Sequence, residues 1–169
     1  MDAIRLSGEL FHNMATFTSL LSGIIDQEAM RKPDPGSWSV LQVVCHLLDE
    51  ERLDFRPRLE ITLHHPGKKW TPIDPQGWVI ARKYNEHSLE DTLAEFLVER
   101  RLSLAWLEGL SSPDWEREYE APFGRIKAGD LLVSWVLHDL LHVRQIIELK
   151  RSGILRLAGN YDGRYAGDW

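Results

Sequence analysis

The stretch WSVLQVVCHLLDEERL, residues 38–53, sets the fold. Ser39 followed three residues later by Gln42 is a capping-box pattern, and Trp38 is placed to staple back onto the first turn. Val40, Val43, Val44, Leu47, Leu48 and Leu53 then recur at helical spacing, which predicts a helix over about 39–63. Pro57 falls inside it. Proline has no N–H for the bond back to Leu53, so a kink or an early end is expected there.

Working outward, three more segments read the same way. Leu10, Phe11, Met14, Phe17, Leu21, Ile24 and Ile25 form one stripe on a helix over about 4–28, stopped by the run Lys32-Pro33-Asp34-Pro35-Gly36. Ser88, with Asp91 in the capping-box position, opens a helix over about 88–110. Leu131, Leu132, Trp135, Val143, Ile146, Ile147 and Leu149 carry a fourth helix over about 128–151, with Gly153 as its stop. The 23 residues from His65 to His87, with three prolines, separate helices two and three. A connector that long can span a bundle and leave its flanking helices parallel. Residues 111–127 alternate around Trp115, Arg117, Tyr119 and Ala121, which allows a short extended piece, and 153–169 form a Gly-rich tail with interleaved aromatics. The expectation is an all-α, single-domain four-helix bundle.

Composition narrows the function classes. The 169 residues carry 20 Lys+Arg against 26 Asp+Glu, with 43% hydrophobic content. That is long and apolar enough for a real core and unlike a disordered chain. A net charge of −6 supplies no basic excess for a nucleic-acid backbone. No stretch of about 18 apolar residues predicts a membrane span, and the first ten residues lack a signal-peptide apolar region. A single cysteine, Cys45, excludes an intramolecular disulfide framework and a Cys-based zinc finger. These features predict a soluble, cytoplasmic protein that acts on a small molecule and binds neither nucleic acid nor membrane.

The sharpest chemical signal is HDLLHVRQI, residues 138–146. His138 and His142 lie four apart, so a helix offers both imidazoles on one face, the spacing that serves a single metal ion. They share the ridge of Leu131, Trp135, Gln145 and Leu149, which faces the core. Two unpaired imidazoles in an apolar interior are unfavourable unless hydrogen-bonded or liganded, so a satisfied core pair is the competing reading. His46 on helix two, sharing a face with Glu50, is the natural third ligand. Three protein ligands leave a position open, as in catalytic sites, and neutral imidazoles suit zinc, nickel or iron.

The pattern W-S-x-L-x-x-V-x-H-L followed by D-E-E, then H-x-x-x-H-x-x-Q-I, resembles the DinB/YfiT-like metalloenzyme superfamily over nearly the whole chain. The resemblance implies an up-down-down-up bundle, commonly dimeric, with His46, His138 and His142 as ligands of a divalent transition metal. It also implies a transferase using a low-molecular-weight thiol cosubstrate as the leading activity. Lys127-Ala128 departs from the Ser or Thr cap usual at the start of the last helix. Metal-dependent hydrolysis of a small substrate needs the same ligands. A stress-associated metal-binding protein without turnover, and a structural dimer with a buried histidine cluster, are the readings from other classes.

The remaining candidates divide between chemistry and architecture. Glu50 is a general base, an acceptor orienting a ligand, or a solvated member of the Asp49-Glu50-Glu51 run. Asp139 is expected at the surface or in a salt bridge, and Cys45 as a small buried apolar group. His64 and His65 are expected in an exposed loop, and neither His12 nor His87 reads as a ligand. Trp70, Trp78 and Tyr84 either wall a pocket or cover a bundle end, and Arg144 pairs with a substrate carboxylate or a nearby acid.

Overall fold

A computed structural model describes all residues 1–169. Its elements in chain order are α1 (Ala3–Leu21), α2 (Asp26–Ala29), α3 (Val40–Glu50), a π-helical turn (Glu51–Phe55), α4 (Arg56–His64), α5 (Pro75–Ala81), α6 (Leu89–Glu108), β1 (Glu118–Ala121), β2 (Gly124–Lys127) and α7 (Ala128–Ala158). The π turn joins α3 and α4 into one rod. That rod, α1, α6 and α7 are the four bundle helices.

Side-chain pairs give their directions. Arg52 reaches Glu95 and Glu99, Arg56 reaches Glu99 and Ser103, and Trp106 reaches Glu60, so numbers rise together along the rod and α6. Asn13 meets Asp139 and the Leu20 carbonyl meets Lys150, so α1 and α7 are also parallel. Phe17 packs on Phe96 while Arg100 donates to the Leu10 carbonyl, so α1 and α6 run opposite ways. The bundle is therefore up-down-down-up, and the 65–87 connector makes the crossover that two parallel middle helices require. No helix is long and apolar enough to cross a membrane.

Local chemistry sets most of the boundaries. Ser39 and Gln42 form the expected reciprocal capping box, and the Ser88 hydroxyl accepts from the Asp91 N–H. At α7, Asp130 accepts from the Lys127 N–H, the half of a capping box that does not depend on a Ser or Thr at the cap. The extended piece in 111–127 is a hairpin, with Tyr119 opposite Ile126. Trp70 stacks on Tyr119 at 4.4 Å, so the crossover and the hairpin together cover one bundle end.

Three boundaries differ from expectation. The first helix stops at Leu21 instead of continuing to 28, because Gly23 takes a left-handed conformation (φ +77°) and the chain turns into α2. The last helix passes through Gly153 and ends before Gly159. An isolated glycine weakens a helix by only about 1 kcal/mol, which 31 residues of helix absorb. Pro57 does not end the second helix, although the α-helix is interrupted just before it. The π turn just before it re-spaces the carbonyls that proline cannot serve, and the rod continues to His64.

The core has two apolar halves. One gathers Leu10, Phe55, Leu59, Trp70, Tyr119 and Trp135, and the other Phe17, Leu41, Val44, Tyr84, Phe96 and Ile146. Between them every bundle helix contributes buried polar groups at the same level: Asn13, the Asp49–Asp54 segment, Arg100, and Asp139 with His142. The π turn lies in this layer.

Candidate metal centre

One side of the polar layer holds the histidines. His46 projects from α3, and His138 and His142 from successive turns of α7, which runs antiparallel to α3. Their Nε2 atoms converge, with His138 at 3.1 Å from each of the other two. These three side chains form the group able to offer ligand atoms to one ion, with His46 and His142 buried and His138 half-buried. All three predicted ligands are thus brought together. Glu50 joins them from behind, its Oε1 3.6 Å from Nδ1 of His46.

The donor set fits a divalent transition metal. Burial is the main cause holding His46 at about 3 and His138 at about 2, and it lowers His142 as well, so all three rings are neutral at physiological pH. His142 Nδ1 lies 2.8 Å from Gln145 Oε1, which fixes the proton there and leaves the Nε2 lone pair facing the cluster. Nitrogens about 2.0–2.1 Å from a common ion sit about 2.8–3.4 Å apart between right-angle and tetrahedral geometry. Both separations from His138, at 3.1 Å, fall within that span, and all three ligand atoms lie within 4.8 Å of one another. Without an ion, one proton on His138 Nε2 is all that can bind the three lone pairs together.

Packing limits the freedom of the rings. Trp38 meets His46 edge-on at 5.0 Å, and Phe55 lies 5.0 Å from His138. Sequence reading took Trp38 only as a staple and passed over Phe55. The signal for Trp38 was its position eight residues, about two helical turns, before His46. Glu50 is buried, not solvated, and burial followed by the neighbouring Asp54 pushes its carboxyl well above the usual carboxylate range. It sits on the Nδ1 side of His46, away from the convergent nitrogens, a place suited to orienting the ring.

The triad opens into a groove of about 890 Å³ that includes Trp38, Gln76, Arg144 and Gln145 in its wall. Arg144 is exposed there and makes no ion pair, so its expected pairing with a nearby acid is not seen. Trp70 and Tyr84 are buried elsewhere: Trp70 covers the hairpin end, and the Tyr84 hydroxyl donates to Asp49. Trp78 lies beneath Arg82 at 4.0 Å. Cys45 is buried with its thiol 3.6 Å from the Tyr84 carbonyl, and burial pushes it up to about 12. His64 and His65 are exposed, as are His12 and His87.

The other side of the layer is an ion-pair knot. Arg100 donates to both oxygens of Asp139 (2.5 and 2.9 Å), to Glu51 (3.0 Å) and to the Leu10 carbonyl. Asn13 also donates to Asp139, and the Trp135 indole to Glu51. Asp139 is therefore salt-bridged as expected, but in the interior and not at the surface. Arg100 was overlooked in the sequence, although Phe96-Arg100-Ser103-Leu107 place it on a buried ridge by spacing alone.

An antiparallel pair of helices carrying a histidine triad at the mouth of a groove defines the class: a helical-bundle protein with a three-histidine cluster able to hold a metal ion. The chain matches the family model of the DinB superfamily over residues 12–146, and it belongs to that superfamily. Among solved structures it is similar to YfiT from Bacillus subtilis, described as "a probable metal-dependent hydrolase with an unusual four-helix bundle topology". The two share 22% identity over 88% of this chain and 86% of that one, with a TM-score of 0.78. That likeness shows the fold. No curated protein matches the chain significantly in sequence.

Proposed function

We propose that His46, His138 and His142 hold one divalent transition metal (zinc, nickel or iron) and that the protein is a metal-dependent enzyme acting on a small molecule. The observation that carries this reading is the convergence of three neutral Nε2 atoms, each buried or half-buried, at the floor of an open groove. A bound ion polarises a substrate oxygen and lowers the pKa of water or a thiol entering the site, supplying a nucleophile at neutral pH. The chain's residues do the rest. Gln145 orients the His142 ring through its 2.8 Å contact, Glu50 stands 3.6 Å from His46 Nδ1 in place to orient that ring, and the groove admits substrate from solvent.

Hydrolysis is the first reading, because an open groove supplies water without a further component and the similar YfiT is described as a probable metal-dependent hydrolase. Transfer from a low-molecular-weight thiol is the second. Cys45 is buried and turned toward Tyr84, so the thiol must come from a cosubstrate. The groove volume, near the upper end of the about 300–1,000 Å³ of small-molecule pockets, leaves space for one beside the substrate. A homodimer is part of the proposal. Leu137, Leu140 and Leu141 lie exposed along α7 and offer an apolar face. A cytoplasmic location accompanies it.

Elemental analysis of the purified protein tests the reading. About one equivalent of transition metal is expected, lost in His46→Ala and in His138→Ala/His142→Ala with the helical signal retained. Added metal at about 100 times its Kd should stabilise wild type by about 2.7 kcal/mol and leave the variants unchanged. Ester and amide panels, run with and without small thiols, then separate the two reactions. No metal uptake on reconstitution would reduce the triad to a structural polar cluster.

A further inference from the structure

Behind the triad groove lies a second cavity of about 500 Å³, between the segment joining α1 to α3 and the last turns of α7. The two cavities share Pro33, Leu149 and Ser152 in their walls, so they are parts of one cleft. The second cavity has an apolar lining. Val40 is buried and Ile24 and Leu149 are half-buried, while Ile154 and Leu157 stand 64% and 71% exposed beside it. Its rim is basic, with Arg31, Lys32, Lys150 and Arg156 against the single carboxylate of Glu28.

Charge sets this cleft apart from the rest of the molecule. With Arg144 and Arg151 from the groove, six basic side chains line it against two carboxylates, Glu28 and Glu148. The remainder of the chain has fourteen basic against twenty-four acidic residues. The chain's ion pairs all use other cations. Lys32 and Lys150 donate only to the neutral carbonyls of Pro35 and Leu20, and Arg151 lies 5.0 Å from the Trp169 ring, so none of these charges is neutralised. Uncompensated cations around an apolar floor complement a ligand with the opposite pattern.

We propose that the second cavity is the recognition half of the cleft, and that it selects small amphiphilic anions: a carboxylate or phosphate carried on an aliphatic or aromatic body. The apolar body rests on Ile24, Leu149 and Leu157, the anionic group meets the basic rim, and a reactive group extends along the groove toward the histidines. The functional meaning rests on the metal-enzyme reading above. The binding itself does not.

Titration calorimetry with octane-1-sulfonate, below its micelle-forming concentration, tests the proposal, since a sulfonate is a poor metal ligand. One molecule is expected to bind per chain. Methanesulfonate, which lacks the body and so its apolar burial, and octan-1-ol, which lacks the charge and so the charge-assisted contact, should each bind at least about tenfold more weakly. Arg31→Gln/Arg156→Gln should weaken binding by a similar factor, with helical signal and metal content unchanged. Chelator-stripped protein of intact helicity should bind within about threefold of the metal-loaded form. Equal binding of octan-1-ol, indifference to the double substitution, binding only in the presence of metal, or no binding overturns the proposal. Occlusion of the cavity between two copies, seen as a dimer that the double substitution dissociates, also overturns it. Failure of the metal reading is seen separately, as absent metal with sulfonate binding intact.

Discussion

Two clusters of buried polar groups share one level of the bundle and are built on opposite terms. In the Arg100 knot, the guanidinium meets Asp139, Glu51 and the Leu10 carbonyl, and Asn13 and Trp135 fill further acceptor positions. Across the layer, His46 Nδ1 and Glu50 Oε1 have no hydrogen-bond partner, and three imidazole nitrogens crowd together without enough protons to link them. Both regions are buried, and both draw on α7 at neighbouring positions, His138 and Asp139. The difference teaches where to look for function. A satisfied network holds helices in place, whereas an unsatisfied one is kept for something that arrives from outside.

The contrast can be broken most severely at Arg100. Arg100→Met strands Asp139 and Glu51 as buried charges and should lower unfolding free energy by about 3–5 kcal/mol, read from urea midpoints. A loss under about 1 kcal/mol would mean that the knot is not what holds the helices. The histidine side should respond to pH instead. In metal-free protein, burial keeps His46 at about 3 and His138 at about 2, below their ordinary value of 6.5. As pH falls through 6.5 the unfolded chain takes up protons that the folded chain refuses. The histidines' contribution to stability is therefore full above that pH and declines toward about pH 3, while buried Glu50, raised to about 8, acts in the opposite sense between its ordinary value and pH 8. Urea midpoints in chelator should fall over this window, and more shallowly in His46→Ala/His138→Ala, because the altered chain has lost two of the linked groups. The smallest expected effect is at Glu50. Glu50→Gln should weaken metal affinity by about tenfold while leaving the metal-free urea midpoint in place, the signature of an orienting residue. An unchanged affinity would assign Glu50 to the architecture.

What was legible in the sequence follows the range of the interactions involved. Ser39 with Gln42, Ser88 with its cap position, and the three- and four-residue apolar spacings are local, and they located all four helices. The histidine pair was visible because both members lie on one helix, and His46 because it shares a ridge with buried valines. The ends of the first and last helices were misread for one reason: a glycine's effect depends on its setting. Gly23 adopts positive φ and turns the chain, while Gly153 stays helical. The Arg100 knot joins residues up to 126 positions apart, and no local pattern distinguishes a buried carboxylate such as Glu51 from a solvated one.

The π turn at Glu51–Phe55 makes chain length itself a carrier of information. Each of its backbone bonds spans one residue more than an α-helical bond. The five residues of the turn wind the chain about as far as four α-helical residues do, so deleting one there would restore a plain helix and leave everything beyond it on its present face. His46 and Glu50 would keep their bearings, and Leu59 and Leu63 would still face the core they now fill, but Pro57 would meet an α-helical bond it cannot make. The bundle thus tolerates the proline at position 57 by means of a count rather than a residue type. Any redesign of this helix must keep the extra residue ahead of the proline together with Glu51 and Phe55, which the Arg100 knot and the His138 ring use.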